Sequence, residues 1–165
     1  MGGTGSTPPA AATRPSFVLM IATYVAGGIG LFIGFGTVGD DDLTLACLLS
    51  VGVVGILSFV RHSLFHRSDA ARMGWDLGRR NNFQIEVGLA NLAWGVVAVL
   101  AVALDWGLAV ESAMFLVIGA YITSVSAMEV FFSGGEHRKT GVVVVTAAFG
   151  VMLLVLGAMG MSAAT

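Results

Sequence analysis

Charge is scarce in this chain, and what charge there is has been sorted. Lys, Arg, Asp and Glu together make up 11% of 165 residues, and Lys139 is the single lysine. A hydrophobic fraction of 56% and a mean hydropathy of +0.90 exclude an ordinary soluble domain. Cys47 is the single cysteine, which excludes an intramolecular disulfide and a cysteine-based metal centre. Lying inside an apolar run, it reads as a small packing residue. Missing too are a His-Glu-x-x-His pattern, a spaced calcium loop around Asp40-Asp41-Asp42, and any nucleophile–base or paired-carboxylate spacing. No catalytic residue, cofactor or metal is therefore expected.

What remains is five apolar runs, at about 16–36, 43–64, 83–104, 108–132 and 141–161. A spanning helix needs roughly 20 apolar residues. The second run reaches that length only by continuing through Arg61, whose guanidinium would snorkel to the headgroups. With this division Arg14, Arg61, Arg67, Arg72, Arg79, Arg80, Arg138 and Lys139 all fall in alternate loops. The other loops hold Asp40, Asp41, Asp42 and Asp105, with Glu111 just inside the fourth run, and no base at all. Loops rich in Lys and Arg stay in the cytoplasm, so the N-terminus is expected inside and the C-terminus outside. The fold class is an all-α integral membrane protein, a bundle of five transmembrane helices forming one domain over 16–161. Residues 1–15, rich in Gly, Ser, Thr, Pro and Ala, read as a disordered tail. The first run is too long for a signal-peptide core and reads as a retained anchor. Scarce lysine with abundant Ala, Gly and Val points to a high-GC bacterium, and hence to the bacterial inner membrane.

Small residues mark the packing faces. Ala22, Ala26, Gly30 and Gly34 recur every four residues on the first helix, a stripe that lets another helix approach closely, within the chain or from a second subunit. The third run carries two stripes. Gln84, Gly88, Asn91 and Gly95 share one face, and Glu86, Ala90 and Ala93 another, which suggests a helix placed centrally in the bundle. The 61–82 segment alternates apolar residues with arginines and reads as lying in the headgroup plane, anchored by Trp75. Asp69 and Asp76 reduce its basic character. Its charge is explained by topology, so a nucleic-acid partner is not expected; the expected partners are membrane lipids and other membrane subunits or the protein itself.

Ionisable groups within a span are costly and become candidates for function. Arg61, His62, His66, Gln84, Glu86 and Glu129 all fall at one level near the cytoplasmic leaflet, with Asn91 deeper. Asn91 needs a partner for its amide inside the bundle. Glu86 stands in the first turns after Asn82, where a carboxylate suits the helix dipole, and is expected to pair with an arginine or histidine and so anchor the 61–82 loop. Glu129, ending an antiparallel neighbour, is expected within a few side-chain lengths of Glu86 and His62. His62 and His66 stand four apart and could share a helix face.

The pattern Arg61-His62-x-x-Phe65, then Gly74-Trp75, then Phe83-Gln84-x-Glu86-Val87-Gly88-x-Ala90-Asn91-Leu92-Ala93-x-Gly95 resembles a family of small bacterial polytopic membrane proteins of unknown function. The resemblance covers about 55–160. It implies the same helical fold and a focus at Glu86 and Asn91, and supplies no activity.

Three functions compete: a non-catalytic accessory or structural subunit, a small proton or solute transporter using the Glu/Asn/His cluster, and an enzyme acting on lipid or quinone. Small size and glycine-rich faces favour the first. Reporter fusions at Thr165 and at Gly134 should show opposite sidedness, outside and inside respectively; the same sidedness at both sites would remove the placement of every candidate residue.

Overall fold

A computed structural model of the chain describes residues 10–73, 80–132 and 140–165. Trp75, Arg79, Arg138 and Lys139 lie outside the described residues. Every element among the described residues is helical, and five helices are long and apolar enough to cross a membrane. They are α1 (Ala10–Thr37), α2 (Thr44–Leu64), α4 (Asn82–Ala103), α5 (Leu108–Phe132) and α6 (Thr140–Ala163), with a short α3 (His66–Met73) between the second and third. The 22 residues of α4 rise about 33 Å, close to the thickness of the hydrocarbon core.

Helix ends follow local chemistry. The aspartate turn after α1 is tightened by Asp41 in the left-handed region (φ 58°), and Asp42 Oδ1 accepts from Thr44 N at 2.9 Å at the start of α2. Asn81 is extended and its Oδ1 accepts from Gln84 N at 3.2 Å, an N-cap for α4. Asp105 and Gly107, both at positive φ, turn the chain from α4 into α5.

Two differences from the sequence reading stand out. The first helix begins at Ala10 and carries Pro15 inside it, so residues 10–15 are helical where a disordered tail is expected. The other is α3, a short helix within the segment that reads from sequence as lying in the headgroup plane. It packs on α1 with Asp69, Ala70 and Ala71 buried, and the buried Ser16 Oγ of α1 donates to Ser68 O at 3.1 Å.

The spans meet where side chains are smallest. Without a hydrophobic drive between helices in lipid, close backbone approach and van der Waals contact supply the attraction. A Cβ at Gly30 of α1 would lie 2.8 Å from Ser50 N of α2, and one at Gly34 would strike Leu156 of α6. Gly55 of α2 and Gly95 of α4 sit back to back; a Cβ on Gly55 would come within 2.8 Å of the Gly95 Cα. A Cβ at Gly88 would fall on Ser63. The α5–α6 hairpin closes in the same way at Gly119, Gly150 and Gly157. Leu31, Leu43, Cys47, Val51, Phe115, Leu153 and Leu156 join the two groups in one apolar core.

The central placement expected of α4 is not found. Its Gln84–Gly88–Gly95 face is buried against α2, while Glu86 and Ala93 are exposed, and α4 is the least buried of the five spans. Its second neighbour, α5, is met through Trp94 and Tyr121 rather than through the face that carries Glu86 and Ala93.

Replacing Gly95 by alanine should separate α2 from α4, because the added methyl would sit 2.9 Å from Gly52 O and 3.0 Å from Ile56 N. The expected cost is about 1–3 kcal/mol, read as a lower melting temperature in mild detergent. Gly28→Ala is the control: nothing lies within 4 Å of a Cβ there, and stability should hold or rise slightly.

Candidate functional site

The end of the bundle that carries the arginines is organised around one carboxylate. Asp69, in the first turn of α3, is only 2% exposed. An ionised carboxylate removed from water must be met by charge and hydrogen bonds. Four side chains from three segments meet it. Arg72, one turn along α3, donates to Oδ1 through Nη2 at 2.9 Å and Nε at 3.3 Å. Arg61 Nε stands 3.8 Å from the same oxygen. Gln84, buried in the first turn of α4, donates Nε2 to Oδ2 at 2.8 Å. His62 Nδ1 lies 3.0 Å from Oδ2, at ion-pair distance but off the line of a hydrogen bond.

The imidazole tautomer follows from its other side. Arg61 Nη2 is 2.7 Å from His62 Nε2. A guanidinium has only donors, so Nε2 is the acceptor and the ring proton resides on Nδ1, facing Asp69. Burial pushes the Asp69 carboxyl up. The close contact with His62, the charge of Arg61 and the Arg72 hydrogen bond outweigh it and hold Asp69 well below the usual carboxylate range.

The backbone of α2 explains why Arg61 and His62 arrive together. Over Val60–Leu64 the helix widens to i→i+5 hydrogen bonding, closed by Phe65 N to Val60 O at 3.1 Å. Phe65 then breaks the helix and α3 starts at His66. The wide turn and the break also separate the two histidines. His66 Nδ1 is 2.9 Å from Ser63 O, while His62 faces Asp69, so the four-residue spacing does not place both on one ligand. Among the described residues no group of three His, Cys, Asp or Glu is arranged to hold a metal ion.

Of the residues singled out by sequence, the structure brings Arg61, His62 and Gln84 together. Glu86 is not with them. Two positions beyond Gln84, it points to the other side of α4, is exposed, and makes no ion pair among the described residues, so the anchoring role expected of Glu86 is taken by Asp69. Glu129, half-buried near the end of α5, gives no hydrogen bond or ion pair to the Asp69 carboxylate. Asn91 finds its partner in its own helix, Nδ2 donating to Val87 O at 2.7 Å, rather than across the bundle. Asp69 and Arg72 are the residues that sequence reasoning missed. The available signal was an acid followed three residues later by a base, next to Ala70-Ala71, whose small side chains allow α3 to be buried.

The fold and site define a polytopic helical membrane protein with a carboxylate-centred polar knot at one end. More particularly, the chain belongs to a family of unknown function, DUF6790, which it matches over residues 16–159. No curated protein and no solved structure matches it.

Because the Asp69 pKa is depressed in the folded protein, its stabilisation is complete above the unfolded value of about 4 and is lost as pH falls below it toward the folded value. Thermal stability in detergent should therefore fall on acidification from pH 5 to pH 3, and that slope should flatten in Asp69→Asn. An unchanged slope in the variant would mean that other carboxylates carry the acid sensitivity.

Proposed function

We propose that this protein is a non-catalytic structural or accessory subunit of a membrane assembly, in a bacterial inner membrane, with the Asp69 knot at its cytoplasmic face. The observation that carries this reading is saturation of the carboxylate. Both Asp69 oxygens are occupied by groups of the same chain, and the second nitrogen of His62 is held by Arg61. A transport or catalytic carboxylate must exchange partners with its cargo. This one is committed to holding α3, the end of α2 and the start of α4 in one arrangement, which suits a rigid docking face. The absence of paired catalytic groups in the sequence agrees with it.

The test uses the full-length protein in proteoliposomes with a trapped pH-sensitive dye and an imposed potassium diffusion potential. Wild type and Asp69→Asn should both show no proton flux above protein-free vesicles. The variant should instead lose about 3–5 kcal/mol of stability, the usual cost of stripping one partner from a buried ion pair. It should also loosen α3 so that trypsin cuts after Arg67 and Arg72. A wild-type flux that vanishes in a variant of unchanged melting temperature would replace this reading with a transporter.

A further inference from the structure

The knot leaves a second carboxylate unexplained. On α4, Phe83, Glu86, Leu89, Ala93, Val97 and Leu100 are all exposed and fall on one side of the helix, with Glu86 near the middle of that face. Glu86 is one turn inside a helix whose length matches the hydrocarbon core, so its carboxylate faces the lipid side. Such a group is expensive there unless it is met by a base. The same face holds Ala90 and Ala93, small enough to let a second backbone approach. At the mouth of the same helix stands Arg80, exposed and, like Glu86, without an ion pair among the described residues.

We infer that the outward face of α4 is where a second copy of this chain docks, with Glu86 of each copy paired to Arg80 of the partner subunit. This rests on the subunit reading above and names its partner. The charge pattern selects a second copy over an unrelated helix: an exposed acid on α4 and an exposed base just before it, at one end of the same helix, are self-complementary, as a two-fold interface requires. A two-fold axis along the membrane normal makes the Glu86–Arg80 pair twice. The two α4 helices cross at Ala90 and Ala93, and the flanking arginines offset the repulsion between the two carboxylates.

The experiment is native mass spectrometry of the full-length protein released from lipid nanodiscs, with charge-swapped variants. Wild type should be a dimer. Glu86→Arg and Arg80→Glu should each reduce the dimer fraction at least tenfold, with melting temperatures close to wild type because both positions are exposed. The double swap should restore the dimer. In a Cys47→Ser background, Ala93→Cys should cross-link on oxidation and Phe32→Cys, on the outer face of α1, should not. A monomeric wild type, a dimer indifferent to both single swaps, or single swaps that the double variant fails to rescue would each overturn the inference. A monomer held in stoichiometric complex with a different protein would overturn the second copy while leaving the subunit reading standing. Proton flux in vesicles would instead strike the subunit reading itself.

Discussion

A carboxylate with almost no access to water sets the terms for one whole end of this molecule. Removing an ionised group from solvent costs several kcal/mol even after relaxation, and only well-placed cations and donors recover it. Asp69 receives them from the end of α2, from its own helix and from the start of α4. Three segments of chain are thereby fixed relative to one atom group. The short α3 would have little stability as an isolated helix of eight residues. It holds its place through this carboxylate and through the Ser16–Ser68 contact with α1. Since the knot contains two arginines and one aspartate, its specificity lies in directed contacts rather than in charge balance.

Within the spans the controlling quantity is different. Leucine packed on leucine gains little over leucine packed on lipid, so the helices are organised by where backbones can touch. The Gly30–Ser50, Gly55–Gly95 and Gly88–Ser63 contacts draw α1, α2 and α4 together, and Gly119, Gly150 and Gly157 draw α5 onto α6. Trp94 and Tyr121, edge to face at 4.7 Å between centroids, bridge α4 and α5. Serine hydroxyls work on the same scale: Ser50 Oγ donates to Gly27 O at 3.0 Å, a cross-helix bond available only because the neighbouring residues lack side chains.

The spans were legible because their signal is long and redundant; twenty apolar residues leave little room for another reading. Arg61, His62 and Gln84 were legible as polar groups at one depth, since depth follows from position along a helix. Their partner was not. Asp69 lies in a segment too short for helical periodicity to declare itself, and its neighbours Arg67 and Arg72 made it look like charge dilution. The separation of His62 from His66 was equally hidden, because four-residue spacing implies a shared face only while the helix stays α. The widened turn over Val60–Leu64 has no sequence mark of its own.

The contrasting fates of Gln84 and Glu86 follow from helix geometry once one contact is fixed. Residues two positions apart on an α-helix are separated by about 200°, so no rotation of α4 can bury both Gln84 and Glu86. Rotation is decided elsewhere on the helix: Gly88 and Gly95 must face α2 because no Cβ fits against Ser63 or Gly55, and Gln84 shares their side. The amide therefore goes inward, where it needs only a hydrogen bond, and the carboxylate goes outward. A carboxylate at position 84 would have met Asp69, and like charges a few ångströms apart in a buried site cannot both stay ionised. The glutamine adds a donor without a second negative charge, while His62, Arg61 and Arg72 hold Asp69 in its ionised form. The outward placement of Glu86 is the geometric consequence of packing α4 on glycine.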